Sequence, residues 1–208
     1  MTGFDFAFAL FSLVLGLALA ENIGGFARAM RLAARARAGK GPGVRIGFLT
    51  PLLAVLITMS QLSLWHQGYA VRNGLPFSYL TLLAIVAVVG TYYLFSSLVW
   101  PHDPEEWPDF DEYYDQHNRL ILSGVLAINV FVTVAIDPYT SPNTAAQEAI
   151  IEAGGLDLAG IAMITALLLI IALIFVKNRR LNVIGLTLVI LSILTGASSI
   201  ALNGLTPV

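Results

Sequence analysis

Glu21 lies in the stretch Leu17-Ala18-Leu19-Ala20-Glu21-Asn22-Ile23-Gly24-Gly25, inside an apolar run that begins at Phe4. A carboxylate at membrane depth is costly in its ionised form unless a cation or water compensates it, so such a residue is the type that holds a proton or a cation in a transport pathway. Arg28 follows at i+7 on the same helical face. Helical side chains lean toward the N-terminus, and Gly25 leaves a gap, so Arg28 is expected to reach back to Glu21. Tyr92, Tyr93 and Ser96 fall at about the depth of Glu21 and are its expected hydroxyl partners. Gln61 and Asn129 place hydrogen-bonding amides in two further runs. Glu21, Gln61, Tyr92, Tyr93, Ser96 and Asn129 are thus the candidate lining of a polar pathway.

A second group stands between residues 101 and 119. Seven acids occur there, among them Asp103, Glu106, Asp109, Asp111 and Asp115, together with His102 and His117. These are hard or borderline metal ligands, but their spacing matches neither an EF-hand loop nor a two-histidine helical zinc site. A solvated or partner-facing acidic surface is the better expectation, and no metal or other cofactor is assigned. The obvious counterpart is the basic end of the first run, where Arg28, Arg31 and Arg35 share one face. Docking the two would neutralise both. Without interleaved aromatics or a glycine-rich phosphate loop, those arginines do not form a nucleic-acid site; beside a membrane they are expected to touch anionic lipid headgroups.

The elements that must position these residues are membrane spans. The chain has 208 residues, 57% hydrophobic and 12% charged, with a formal net charge of -2, and its mean hydropathy is +0.80. Soluble domains carry about twice that share of charge. Six apolar runs, near 4–27, 46–66, 77–100, 120–137, 157–176 and 181–203, each approach the ~20 residues a helix needs to cross the hydrocarbon core. In lipid each must be helical, since isolated strands leave backbone groups unpaired. The expectation is one all-α membrane domain over residues 1–208, a six-helix bundle bounded by the lipid bilayer.

Ten of the eleven Lys and Arg fall in connections one, three and five, and Arg72 alone in the others. The positive-inside rule then places both termini outside and those three connections in the cytoplasm, in the plasma (inner) membrane. Phe6 to Ala20 has the apolar character of a signal peptide, but no basic residue precedes it, so cleavage is not expected. Pro51 is expected to kink the second span near its inner end. Asp103-Pro104-Glu105-Glu106 and a second start at Asp109 predict short interfacial helices in connection three, with Trp107, Phe110 and Tyr114 on one face. Ser141-Pro142 through Gly154-Gly155 predicts another over 142–153 in connection four. Gly16, Ala20 and Gly24 recur every four residues, which favours close approach of a second helix within the bundle.

There are no cysteines, which excludes thiol chemistry and iron–sulfur ligation. Gly-x-Ser-x-Gly and His-Glu-x-x-His are absent as well, so an intramembrane enzyme is disfavoured. Two function classes remain. One is a channel or transporter for a proton, an ion or a small solute that uses Glu21, in a monomer or a homo-oligomeric ring. The other is a non-catalytic accessory or adaptor subunit of a membrane complex.

Overall fold

A computed structural model describes residues 3–40, 43–71, 78–103, 106–135 and 157–203, with the side chains of 199–203 excepted. Its helices are α1 (Gly3–Arg37), α2 (Leu49–Ala70), α3 (Tyr79–Val99), α4 (Phe110–Ala135), α5 (Leu158–Phe175) and α6 (Arg179–Asn203). All six are long and apolar enough to cross a membrane. This is the architecture of a multi-pass membrane protein. The helix expected over 142–153 lies outside the described residues.

Helix α2 is the hub. It packs against α1, α3, α4 and α6, while α4 joins α3 to α5. Half of the most apolar stretch of α2 is buried, against a third or less in every other helix. Leu49, Leu53, Leu56 and Ile57 on α2 meet Ile121, Leu122 and Val125 on α4 and Leu186 and Val189 on α6 in one continuous core. The large hydrophobics left on the outside, such as Leu13, Leu17, Leu83, Leu168 and Ile184, form the coat that a bilayer solvates.

Helix α1 continues unbroken from its apolar run into the arginine extension and stops at Gly39. There φ is +67°, and the Gly39 and Lys40 amides donate to Ala36 and Arg35. This pair of bonds is the Schellman stop, and glycine enters its left-handed residue without a steric penalty. The buried stripe of α1 is Ala7, Phe11, Leu15, Ala18, Asn22, Gly25 and Ala29. The face expected to pack is a different one. Gly16 and Ala20 are exposed, and a Cβ at Gly16 would meet nothing within 4 Å. The close approach occurs instead at Gly25, where a Cβ would collide with the Trp100 ring.

Two other expectations are corrected. Pro51 is the third residue of α2, in the first turn, where an N–H has no helical acceptor, so it opens the helix rather than bending it. Asp109 does start a helix, since Asp111 N donates to its Oδ1 at 3.0 Å. That helix is α4 itself, which begins about ten residues before the expected span, and residues 106–109 are not helical. Trp107, half-buried, lies edge-on to Tyr113 at 5.1 Å instead of continuing a separate interfacial helix.

Connections one, three and five meet at one end of the bundle. Arg45 N donates to Pro108 O at 2.7 Å and Phe110 N to Arg45 O at 3.1 Å, a two-bond parallel bridge between the first and third connections. Arg179, at the start of α6, ties in the fifth.

Candidate functional site

Glu21 and Arg28 do pair, Nη2 to Oε1 at 2.9 Å. Arg28 passes over Gly24 rather than Gly25, its Nη1 standing 3.6 Å from where a Gly24 Cβ would be. The pair sits on the flank of the bundle, with 43% of the Arg28 side chain and 34% of the Glu21 side chain exposed. One residue along α1 turns the chain by about 100°, and that step carries Asn22, not Glu21, into the interior. Asn22 is 2% exposed. Its amide donates to Ala54 O at 2.8 Å and to Thr58 Oγ1 at 3.0 Å, and its Oδ1 accepts from Trp100 Nε1 at 2.9 Å. One side chain of α1 therefore binds α2 twice and the end of α3 once.

The hydroxyls expected beside Glu21 are elsewhere. Ser96 Oγ accepts from Gln61 Nε2 at 2.7 Å. The Tyr92 hydroxyl is within hydrogen-bonding reach of Ser60 and Asn129, and the Asn129 amide also donates to Val125 O. Tyr93 points outward and is 41% exposed. Of the six pathway candidates, Gln61, Tyr92, Ser96 and Asn129 converge in a buried seam among α2, α3 and α4, whereas Glu21 and Tyr93 do not join it. Gln61 is 1% exposed, and its Oε1 has no partner among the described residues. A buried amide oxygen left without a donor is a natural seat for a water molecule or a protic ligand.

At the end where the connections meet, Asp109, Asp111 and Asp115 are engaged within the fold. Asp109 Oδ2 lies 3.9 Å from Arg45 Nη1 and 3.5 Å from Arg179 Nη1. Asp115 Oδ2 lies 2.7 Å from Arg179 Nη2 and also accepts from its Nε. Asp111, 9% exposed, accepts the Leu49 amide on Oδ1 at 3.1 Å. Phe48, the residue before α2, gives that helix no side-chain cap, so α4 supplies one from across the bundle. A Cβ at Gly47 would collide with the Asp111 carboxylate, and the absence of one opens the seat for this cap. Thr50 Oγ1 reinforces the contact by donating to Phe110 O at 2.8 Å.

Docking of the arginine tail onto these acids is not what the fold uses. Arg45 and Arg179 take the acids, and Arg31 and Arg35 form no ion pair among the described residues. The metal-type residues also disperse. His102, Asp103 and Glu106 are exposed. His117 stacks on Tyr113 at 4.1 Å, lies edge-on to Trp107 and faces the Tyr113 carbonyl through Nδ1. Among the described residues, no three His, Asp or Glu side chains gather as a metal site would require.

Asn22, Thr58, Ser60, Trp100 and Asn182 are polar residues of the interior that sequence reasoning did not place in a site, and Tyr114, expected on an interfacial face, joins them inside the bundle. Tyr114 donates to Asn182 Oδ1 at 3.3 Å, and the Asn182 amide reaches the Val176 and Asn178 carbonyls. A signal for Asn22 was present, because position 22 shares the helical face of Phe11, Leu15, Ala18, Gly25 and Ala29.

Comparison of the chain with protein-family models, with curated proteins and with solved structures gives no match in any of the three.

Proposed function

We propose that the chain is a non-catalytic subunit of an inner-membrane assembly, with both termini outside and connections one, three and five in the cytoplasm, and that α1 is its docking helix. The observation that carries this is the open face of α1. Gly16 and Ala20 leave helix backbone accessible there, and the half-exposed Glu21–Arg28 pair, with Arg28 lying over Gly24, borders it. Small residues in this pattern let a second transmembrane helix approach closely, and a covering helix would shield an ion pair that lipid solvates poorly. The polar groups of the interior are used mainly to join helices, Asn22 to α2 and Trp100, Gln61 to Ser96, and Tyr114 to Asn182. The placement of ten of eleven cations supports the orientation.

The test is the mass of the particle extracted in native lipid. A complex larger than the 22.3 kDa chain, reduced to the monomer by Gly16→Ile or Ala20→Ile with the fold unchanged, supports the proposal. A wild-type monomer, or variants that stay assembled, would overturn it. Passage of a proton, an ion or a small solute is the second reading, and the unpartnered Gln61 Oε1 beside the Ser60, Tyr92, Ser96 and Asn129 seam favours it. On this reading both Glu21→Gln and Gln61→Leu lower proton- or cation-driven flux in reconstituted vesicles. Flux that is unchanged in the variants, or absent from the wild type, removes it.

A further inference from the structure

Helix α1 has 35 residues and is roughly 50 Å long at 1.5 Å per residue, well beyond the ~30 Å of a hydrocarbon core. Its last turns therefore stand at the level of the lipid headgroups or past it. Arg28, Arg31 and Arg35 fall there on one face, and with Leu32 they line a groove of about 220 Å³. We propose that this groove is a binding site for the phosphodiester headgroup of an anionic phospholipid. The groove shares Arg28 with the docking face proposed above, so its test is read at Arg31 and Arg35, which lie beyond Gly24 along the helix.

The charge arrangement of the fold argues for it. Asp109 and Asp115 at the acidic start of α4 are paired with Arg45 and Arg179 rather than with the arginines of α1. Arg31 and Arg35 are exposed, and neither makes an ion pair among the described residues. Arg28 is different, because Glu21 anchors one of its terminal nitrogens at 2.9 Å. That bond orders the guanidinium while leaving its remaining N–H groups available. One ordered and two free guanidinium groups around a half-buried leucine offer forked donors to phosphate oxygens and an apolar contact to the glycerol. Arg37 lies on another face of the helix and does not line the groove.

Native mass spectrometry of the full chain, titrated with phosphatidylglycerol or phosphatidylcholine, tests the site. The expected result is preferential retention of phosphatidylglycerol. Loss of both Arg31 and Arg35 to Gln should weaken that retention roughly thirtyfold, two interfacial charges at the usual contribution of each. Arg37→Gln, which removes one charge from the same helix off the groove, should change it less than about threefold, and the paired Arg31→Lys, Arg35→Lys variant should recover part of the affinity. Equal retention of phosphatidylcholine, an Arg37→Gln loss as large as that of the groove variant, or displacement of the lipid by inorganic phosphate would overturn the proposal. The last outcome would reassign the groove to a free anion.

Discussion

Replacing Asn22 with Leu keeps a side chain of similar size and deletes three interhelical hydrogen bonds at once, those to Ala54 O, Thr58 Oγ1 and Trp100 Nε1. Inside a bilayer such bonds average about 0.6 kcal/mol and reach about 1.7. The expected loss is therefore about 2 kcal/mol, on the order of a thirtyfold shift in the unfolding equilibrium. The indole N–H of Trp100, 3% exposed, is left without its acceptor, which moves the figure upward rather than down. The assay is unfolding of the purified chain in mixed micelles by increasing sodium dodecyl sulfate, followed by tryptophan fluorescence and far-ultraviolet dichroism. A cycle with Trp100→Phe isolates the Asn22–Trp100 term, and the two changes should couple by at least about 0.5 kcal/mol. Stability of Asn22→Leu within about 0.5 kcal/mol of wild type, or strict additivity with Trp100→Phe, would refute the assignment of Asn22 as the link between α1, α2 and Trp100.

At Gly25→Ala the collision with the near end of the Trp100 side chain costs about 1–3 kcal/mol against a helix-propensity gain of ~1 kcal/mol, so a net loss of up to about 2 kcal/mol is expected; the same change at Gly16, where a Cβ meets nothing, should be neutral or stabilising in the same titration. Asp111→Ala removes the cap of α2 and should cost about 1–2 kcal/mol, whereas Asp111→Asn retains an acceptor oxygen and should cost less, with amide exchange at Leu49 separating the two. Arg179→Gln breaks the pairs with Asp109 and Asp115, which are partly exposed, so it should cost under about 1 kcal/mol. The difference between Arg179→Gln and wild type should shrink when unfolding is repeated in high salt.

The membrane class and the six spans were legible because hydropathy over some twenty residues is a property of composition, and a lipid environment leaves helices as the only outcome. The start at Asp109 was legible for a similar reason, since a helix N-cap is local backbone chemistry. Rotation of α1 about its axis was not. Glu21 attracts attention as the charged residue in the run, but a charge is the residue most cheaply left on a flank where a nearby arginine can reach it. An amide such as Asn22 can be buried, provided that every hydrogen-bonding group finds a partner. Those partners, Ala54, Thr58 and Trp100, come from elements 32 to 78 residues away, and nothing within α1 announces them. The acidic connection shows the same limit. Its composition demanded cations, and both the arginine tail and Arg179 satisfy that demand on paper. Only the packing of α6 beside α2 and α5 brings Arg179 to Asp109 and Asp115.

The cap on α2 bears on the order in which the bundle is made. Leu49 and Asp111 are separated by 62 residues, so at a synthesis rate of about 5–20 residues per second α2 waits on the order of 3 to 12 s for its acceptor to be made. During that interval the Leu49 amide is without this acceptor, and α4 supplies it. A nascent chain halted before Asp111 would therefore hold α2 in a state distinct from the finished one, its first turn without the Asp111 cap. The arrival of α4 is then the step that completes the first turn of the central helix.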